Sequence, residues 1–288
     1  MTFIVHGATG AQGSPVLSAL TAAGKQAVAA VRTPTGLPDG VTAASVDLAN
    51  VDTLTDLYAG ADGVFVHLPM DGSGRAPAYV DAITKAVAAA KPGRVVISTS
   101  GQIVDQPGSP LQAPADSPIA TLIQGITDTG VSTAVVAPRL YLENLLLPVI
   151  AGPAREEGVL RYLLPESFPV SWSSHLDVAD VVVRLLTDTT VTGTVAIGHL
   201  PGLTGPDLAK GFTERLGRDI RFEAITPDQF GDLISPLFGA DAAAPVVGLY
   251  QALNTQDDNT IAVTNSAQTL LGLTPRTVTA WLDAVLPD

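Results

Sequence analysis

Three glycines near the start of the chain have the spacing of a phosphate-binding turn. Gly7, Gly10 and Gly13 follow an apolar run, Phe3 to Val5, that indicates a buried strand, and they precede a helical pattern that begins near Pro15. In such a turn the first glycine allows a tight reversal, the second lets the main chain approach a pyrophosphate, and the third lets the helix pack on the strand. Glycines also mark ordinary turns, but this placement favours dinucleotide binding. The predicted contacts are Gly7, Thr9, Gly10, Ala11, Gln12 and Gly13.

The second predicted strand, Gln26 to Val31, ends at Arg32. In a βαβ unit, an acidic residue roughly 20 positions past the glycines binds a ribose 2′-hydroxyl, whereas an arginine there suits a 2′-phosphate. The strand end Val31-Arg32-Thr33-Pro34 contains no acidic residue. We therefore predict NADP(H) as the cofactor in preference to NAD(H). The alternative is that Arg32 is a solvated surface residue.

Three further predicted strands carry polar or functional groups at their ends: Val41 to Val46, the apolar strand Gly63 to Pro69, and the strand from Arg94 that ends in Ser98-Thr99-Ser100. The third strand, Val41 to Val46, ends at Asp47, whose carboxylate could accept from an adenine amine or cap the next helix near Asn50 or Asp52. Because ligands of open parallel sheets bind outside the carboxyl ends of the strands, these residues predict one crevice. The further cofactor contacts expected there are Asp47, Leu48, His67, Leu68, Pro69, Ser98 and Thr99.

The elements that position these residues alternate between strand and helix, which predicts an α/β fold: a Rossmann-type doubly wound parallel sheet with a smaller, interleaved α/β substrate-binding segment. We expect an NADP(H)-binding domain over residues 1–150, its sheet completed by later segments such as 193–198, and the smaller segment over 151–288. The polar loop from Gln102 to Pro118 is expected to be a lid or a substrate contact. Beyond Tyr141 we expect an apolar helix from Leu142 to Ile150, a short helix from Arg155 to Gly158 and a short strand from Val170 to Ser174.

Composition excludes several classes of function. The formal net charge of −13 argues against binding to nucleic acid or an anionic membrane surface. The chain has no cysteine, which excludes disulfides, thiolate nucleophiles and cysteine-ligated metals, and its four histidines lack paired metal-ligand spacing. We therefore expect no metal. No signal-like or membrane-spanning stretch is evident, so we expect a soluble, cytoplasmic protein whose oligomeric state the sequence leaves open.

These residues resemble the NmrA-like family of atypical short-chain dehydrogenase/reductases. The resemblance covers nearly the whole chain and rests on motifs that occur in the family's order, of which the first is the most specific. The carrying stretches are Gly7-Ala-Thr-Gly-Ala-Gln-Gly13, Val31-Arg32, Val46-Asp47-Leu48, Val95-Val-Ile-Ser-Thr-Ser100, Pro138-Arg139-Leu-Tyr-Leu-Glu-Asn144, Leu176-Asp-Val-Ala-Asp180, Leu203-Thr-Gly-Pro206 and Leu216-Gly-Arg218. The resemblance implies NADP(H) binding, with either reduction of carbonyl, quinone or enone substrates or redox sensing without turnover.

The chain departs from the usual catalytic pattern of short-chain reductases. These enzymes generally use Tyr-x-x-x-Lys, in which the lysine lowers the pKa of a proton-donating tyrosine. None of the five tyrosines is followed by lysine at the fourth position; those positions hold Asp62, Ile83, Leu145, Glu166 and Asn254. The usual proton relay is therefore absent.

The favoured interpretation is an NADPH-dependent reductase that acts on an apolar, aromatic or quinonoid small molecule, such as a polyketide-type ketone. The candidate proton donors are Ser100, Ser98, Thr99, His175 and Tyr141, or else water or a phenol on the substrate itself. Each has a structural alternative, because strand-end hydroxyls often bond main chain and a lone histidine before a helix is often a cap or surface group. Expected pocket walls are Leu140, Tyr141, Leu145, Phe168 and Trp172, with Trp172 also a candidate core residue.

A second function is compatible with the same motifs. The protein could bind NADP(H) and report redox state to a protein partner, for which loss of the Tyr/Lys pair is expected. A third and weaker interpretation is an isomerase or epimerase of the extended short-chain class, although such enzymes tend to keep that pair.

Overall fold

The computed structural model describes residues 1–38, 40–69 and 74–286 of the chain. The described part divides into two compact units. Unit 1 comprises the described residues of Met1–Pro138, His175–Ile197 and Thr264–Leu273. Unit 2 comprises Arg139–Ser174, Gly198–Val263 and residues 274–286. No helix among the described residues is both long enough and apolar enough to cross a membrane.

Unit 1 is built on a parallel sheet. Its strands are β1 (Thr2–His6), β2 (Gln26–Val31), β3 (Thr42–Ser45), β4 (Gly63–His67), β5 (Val95–Ser98), β6 (Thr133–Pro138) and β8 (Gly193–Ile197). The intervening strand β7 (Val159–Tyr162) belongs to unit 2. The order in the sheet is β3-β2-β1-β4-β5-β6-β8, and every pairing is parallel. Strands β4 and β5 are buried almost throughout, as their continuous apolar sequences predict for central parallel strands.

Helices cover both faces of this sheet. The helices of unit 1 are α1 (Gly13–Ala22), α2 (Val51–Tyr58), α3 (Ala76–Ala90), α4 (Pro118–Asp128), α6 (His175–Thr187) and α10 (Ala267–Leu271). Helices α2, α3 and α4 share one apolar core with strand residues such as Ile4 and Val64, whereas α1 packs against α6 on the other face. This topology confirms the predicted Rossmann-type, doubly wound fold.

The strand order reverses between β1 and β4, the two neighbours at the centre of the sheet. Such a reversal is the topological switch point at which doubly wound sheets bind ligands, outside the carboxyl ends of the strands. The last residues of these strands, His6 and His67, and the turn that begins at Gly7 lie at this point. The sheet therefore places the glycine turn where a ligand is expected.

Unit 2 contains a two-stranded parallel sheet, β7 (Val159–Tyr162) with β9 (Arg221–Ala224), and several helices. The helices are α5 (Pro148–Glu156), α7 (Gly205–Leu216), α8 (Pro227–Phe238), α9 (Ala240–Leu253) and α11 (Val278–Val285). Helix α7 packs against β9 and against α11, and α8 and α9 pack as a pair. The sequence did not identify β7.

The helix predicted over Leu142–Ile150 is wrong. A 3₁₀ helix spans Leu142–Leu146, and α5 begins only at Pro148 and continues to Glu156, through the first two residues of the short helix predicted from Arg155 to Gly158. The cause is Pro148, which disfavours helical conformation in the residue before it: Leu147 has an extended ψ of 136°.

The predicted strand Val170–Ser174 is also wrong. Val170 forms isolated bridges with Leu203 and Asn259, and Ser173 forms one with Tyr141. These single pairings tie loop segments of unit 2 together without a continuous ladder.

Candidate functional site

The glycine turn after β1 is packed so tightly that side chains cannot be accommodated at two of its positions. Gly7 has a φ of +60°, and a Cβ there would lie 2.5 Å from Nε2 of His67. A Cβ at Gly13 would overlap the carbonyl oxygen of Gly7. The turn is closed by the Gly10 N–H, which donates to the Gly7 carbonyl at 2.8 Å. Both glycines are therefore required by close approach of neighbouring atoms.

The same turn fits a phosphate group. Thr9, Gly10 and Ala11 are exposed, and α1 begins directly afterwards at Gly13. The first N–H groups of a helix have no acceptor within it. In α1 the Ser14 N–H donates to the Gly10 carbonyl at 3.0 Å, and the side chain of the N-cap residue Gln12 makes no capping hydrogen bond to the other first N–H groups. These N–H groups and the positive end of the helix dipole are suited to an anionic pyrophosphate. No cluster of potential metal ligands is found among the described residues.

Gln12 connects this turn to the end of β5 through a closed ring of hydrogen bonds. The Ser98 hydroxyl donates to Oε1 of Gln12 at 2.7 Å, and Nε2 of Gln12 donates to Oγ of Ser100 at 2.9 Å. The Ser100 main-chain N–H donates to Oγ of Ser98 at 3.2 Å, which completes the ring. Ser98 is fully buried, whereas Ser100 is half-buried.

Thr99, between the two serines, is also fully buried. Its N–H donates to the Val136 carbonyl at 3.1 Å, and its hydroxyl oxygen has no hydrogen-bond partner among the described residues. The next residue, Ser100, has a φ of +54°, which a residue with a side chain rarely adopts. This left-handed conformation turns the chain at the end of β5, at the carboxyl edge of the sheet. Such strain is typical of functional sites.

Three histidines of unit 1 have lowered pKa values, and His67 contributes to the shift of the other two. Burial lowers the pKa of His6 to about 3, with a further contribution from His67, and Nε2 of His6 lies 2.8 Å from the Tyr58 hydroxyl. Burial likewise lowers the pKa of His67, outweighing its main-chain hydrogen bonds. His175, the first residue of α6, has its pKa lowered to about 4 by burial and then by His67. All three imidazoles are therefore neutral at pH 7.

Arg32 and Asp47 lie at the ends of neighbouring strands and differ in their partners. The Arg32 side chain is exposed and has no partner among the described residues. The main-chain carbonyl of Arg32 accepts a hydrogen bond from the Ser45 hydroxyl at 3.0 Å. Asp47 is held by Arg75, whose Nη2 donates to its two carboxylate oxygens at 3.1 and 3.2 Å, and it accepts from the Ala49 N–H at 3.0 Å. The hydrogen bond from the Ala49 N–H lowers the pKa of Asp47 most, and the guanidinium group of Arg75 lowers it further.

The alternative role of Asp47 as a helix cap is not observed. The N-cap of α2 is Asn50, whose side chain accepts from the Thr53 N–H at 3.0 Å. Arg75 is a site residue that sequence reasoning missed, since nothing in the local pattern relates it to Asp47. The remaining predicted contacts lie beside these strand ends: Leu68 is buried, and Leu48 and Pro69 are half-buried.

The predicted residues of the later segment differ in placement. His175 belongs to unit 1, where His67 lies close enough to lower its pKa, whereas Tyr141 belongs to unit 2, where it forms a bridge with Ser173. Leu140, Leu145, Phe168 and Trp172, which were expected as pocket walls, are each at most 7% exposed, and Phe168 and Trp172 line a small cavity within unit 2. Trp172 packs edge-on against Tyr162, as a core residue would.

The loop expected to be a lid, Gln102–Pro118, is cross-linked by hydrogen bonds. Ile103 bridges Gln112, and the Gln112 side chain accepts from the Gln106 N–H at 2.8 Å. Asp105 accepts from the Asn265 side chain at 3.0 Å, which ties the loop to a later segment of unit 1. These bonds favour a fixed loop.

Fold and site together define a Rossmann-type α/β protein with a glycine turn at the switch point of its sheet. A sequence model of the NmrA-like family matches residues 1–282, and the chain belongs to that family. The resemblance inferred from the motifs is thereby confirmed. Comparison with curated protein sequences found no match.

Several solved structures share the fold at low sequence identity. The NADPH-dependent quinone oxidoreductase of Escherichia coli, solved with NADPH, is 18% identical, is matched over 100% of both chains and has a TM-score of 0.73. The triphenylmethane reductase of a Citrobacter species, solved with NADP(H), is 17% identical over 98% of this chain and 99% of that chain, with a TM-score of 0.76. The UDP-N-acetylglucosamine 4-epimerase of Bacillus cereus is 14% identical over 100% of this chain and 98% of that chain, with a TM-score of 0.68.

Proposed function

We propose that this protein binds NADP(H) at the glycine turn of unit 1 and reduces a carbonyl, quinone or enone group of an apolar, aromatic compound such as a polyketide-type ketone. The proposal of catalysis rests on the hydrogen bonding of the Ser100 hydroxyl. It accepts from Gln12 of the phosphate turn, and its own proton has no acceptor among the described residues. A hydrogen-bond donor therefore stands beside the turn proposed to hold the cofactor.

The turn and Arg32 support the cofactor assignment. The exposed residues Thr9 to Ala11 and the start of α1 suit the pyrophosphate, and the unpaired guanidinium of Arg32 at the end of β2 suits a 2′-phosphate. Asp47, at the end of the neighbouring strand, is paired with Arg75, which partly neutralises its carboxylate. The Escherichia coli and Citrobacter proteins, which share the fold, were solved with NADPH and NADP(H).

The two reductases also support the substrate class. One is named for quinones and the other for triphenylmethane dyes, which are aromatic compounds. The expected division between a cofactor-binding segment over 1–150 and a substrate-binding segment over 151–288 stays a prediction.

NADPH held at the glycine turn would supply the hydride and become NADP⁺, and a solvent proton would complete the reduced product. The substrate oxygen gains negative charge during this transfer, and a fixed hydrogen-bond donor stabilises it. Ser100 has such a proton, whereas the proton of Ser98 is donated to Gln12. Burial lowers the pKa of His175 to about 4, so its imidazole is neutral at pH 7. It is therefore a weak candidate for a proton donor, which would have to be the charged imidazolium.

The test is NADPH oxidation by the purified protein against a panel of quinones, aryl ketones and enones, with NADPH binding measured separately by fluorescence. Turnover of at least one compound is expected. Ser100→Ala should lower kcat by at least about tenfold while NADPH binding persists, and His175→Ala should lower it less. Clear NADPH binding without oxidation by any compound would contradict the reductase and favour a redox-sensing protein.

A further inference from the structure

The ring formed by Gln12, Ser98 and Ser100 fixes the direction of each hydrogen bond. A serine hydroxyl has one proton to donate, and a glutamine side chain has a donor end and an acceptor end. The Ser98 oxygen accepts from the Ser100 N–H, and its single proton goes to Oε1 of Gln12. The acceptor end of the amide is thereby set toward Ser98, and the donor end must face Ser100.

This direction determines the role of the Ser100 hydroxyl. Its oxygen accepts from Nε2 of Gln12, so its own proton points away from the amide. Ser100 is half-buried at the carboxyl edge of the sheet, where a proton directed out of the ring can meet a bound molecule. Gln12 itself is 8% exposed, and two of the three bonds join it to residues 86 and 88 positions away. A nearly buried side chain held at both ends is well suited to holding a neighbour in one orientation.

We propose that Gln12 is a positioning residue, which holds the Ser100 hydroxyl as a donor toward the substrate oxygen, with Ser98 fixing the orientation of the Gln12 amide. This inference rests on the proposed reductase function. Gln12 has a second connection to that function, because it belongs to the turn proposed to bind the cofactor phosphates. One residue therefore links the phosphate-binding main chain to the hydroxyl that faces the substrate.

The identity of the side chain at position 12 makes the proposal specific. A carboxylate at this position accepts hydrogen bonds and donates none. Gln12→Glu would therefore draw the protons of both serines inward and remove the outward donor. Gln12→Met has nearly the same length but no hydrogen-bonding group that could orient Ser100. The two variants thus affect the same hydroxyl in different ways.

The experiment compares wild type, Gln12→Met, Gln12→Glu and Ser98→Ala, with Gln26→Met as a matched control at the opposite edge of the sheet. Steady-state kinetics use a compound that the wild type reduces, and NADPH dissociation constants are measured by fluorescence without substrate. For Gln12→Met, kcat should fall at least about tenfold, with substrate KM and NADPH affinity each within about threefold of wild type. Gln12→Glu should lower kcat further, Ser98→Ala should lower it less, and Gln26→Met should match wild type.

A kcat of Gln12→Met within about twofold of wild type would overturn the proposal. A loss of kcat matched by an equal loss of NADPH affinity would also overturn it, because that result indicates a purely structural role for Gln12. The ring itself is tested without turnover. In protein labelled with ¹⁵N in its glutamine side chains, Ser100→Ala should shift the Gln12 amide resonances and leave those of Gln26 in place. Unshifted Gln12 resonances would overturn this inference alone, whereas absence of turnover by wild type would overturn the proposed function.

Discussion

The imidazole of His67 fills the space that a side chain at Gly7 would occupy. A Cβ at Gly7 would lie 2.5 Å from Nε2 of His67 and 3.0 Å from Cε1. The end of β4 is thus packed directly against the turn that follows β1, at the switch point of the sheet. The glycine is required both by its left-handed backbone and by this neighbour.

Gly7→Ala should therefore be more damaging than an alanine at another left-handed glycine. Gly24 is the matched control, since its φ of +67° is similar but a Cβ there has no atom within 4 Å. Gly24→Ala should lower the free energy of unfolding by about 1–2 kcal/mol, the usual strain of a left-handed residue with a side chain. Gly7→Ala should lower it by more and should also weaken NADPH binding at least about tenfold, since the turn must shift. Equal effects in urea denaturation and equal NADPH affinities would contradict the packing of His67 against the turn.

Arg94 is a fully buried arginine away from the proposed site, and removing it should affect stability alone. Its guanidinium donates to the Ser132 hydroxyl at 2.8 Å, to the Thr189 carbonyl at 3.3 Å and to the Val191 carbonyl. Arg94→Leu leaves these acceptors without their donor and should lower the free energy of unfolding by about 3 kcal/mol. The exposed Arg184 on α6 provides the control, for which Arg184→Ala should change it by less than about 0.5 kcal/mol. Similar urea midpoints for the two variants would show that the Arg94 bonds contribute little.

Acid should destabilise the protein through its buried histidines. Burial lowers the pKa of His6 from 6.5 to about 3, so between these values the unfolded chain binds a proton that the folded protein excludes. Stability is therefore lost as the pH falls below 6.5, and His6 alone accounts for about 2 kcal/mol of that loss at pH 5. Urea denaturation at about pH 7 and pH 5 measures the difference. His6→Gln should be less stable than wild type at pH 7 yet lose less between the two pH values; an unchanged difference would contradict a neutral, buried His6.

The pairing of Asp47 with Arg75 should contribute little to stability, because both side chains are half-exposed, 58% and 50%. Asp47→Ala should lower the free energy of unfolding by less than about 1 kcal/mol, similar to Asp81→Ala, which removes the exposed Asp81–Lys85 pair of α3. If Asp47 also accepts from an adenine amine, Asp47→Ala should weaken NADPH and NADH by the same factor, since both contain adenine. Unchanged affinity for both cofactors would remove Asp47 from the proposed site.

The sequence predicted the fold well where a local pattern carries the information. Continuous apolar runs identified strands such as β2 and β4. The break between the 3₁₀ helix and α5 also has a local signal, because Pro148 restricts Leu147, but the apolar character of Leu142–Ile150 outweighed it in the prediction. The strand β7 is only four residues long and gave no comparable periodic signal.

The sequence could assign the candidate site residues to one edge of the sheet, but it could not predict the contacts between them. Parallel strands bring their carboxyl ends to one edge, which is why the glycine turn, Asp47 and Ser98–Ser100 could be assigned to a common region. The ring through Gln12 joins residues more than 80 positions apart, and nothing in either segment specifies the other. The pairing of Asp47 with Arg75 is likewise not predictable from local sequence, since it depends on where the start of α3 lies relative to the end of β3.

The central claim is that NADP(H) binds at the glycine turn with its 2′-phosphate on Arg32, and calorimetric titration tests it most directly. Wild type should bind NADPH more tightly than NADH. Arg32→Ala should weaken NADPH by about 10- to 100-fold, the size expected for a lost charge-assisted hydrogen bond, and should leave NADH nearly unchanged. Failure of wild type to bind NADPH at saturating concentration, or equal weakening of both cofactors by Arg32→Ala, would contradict the account.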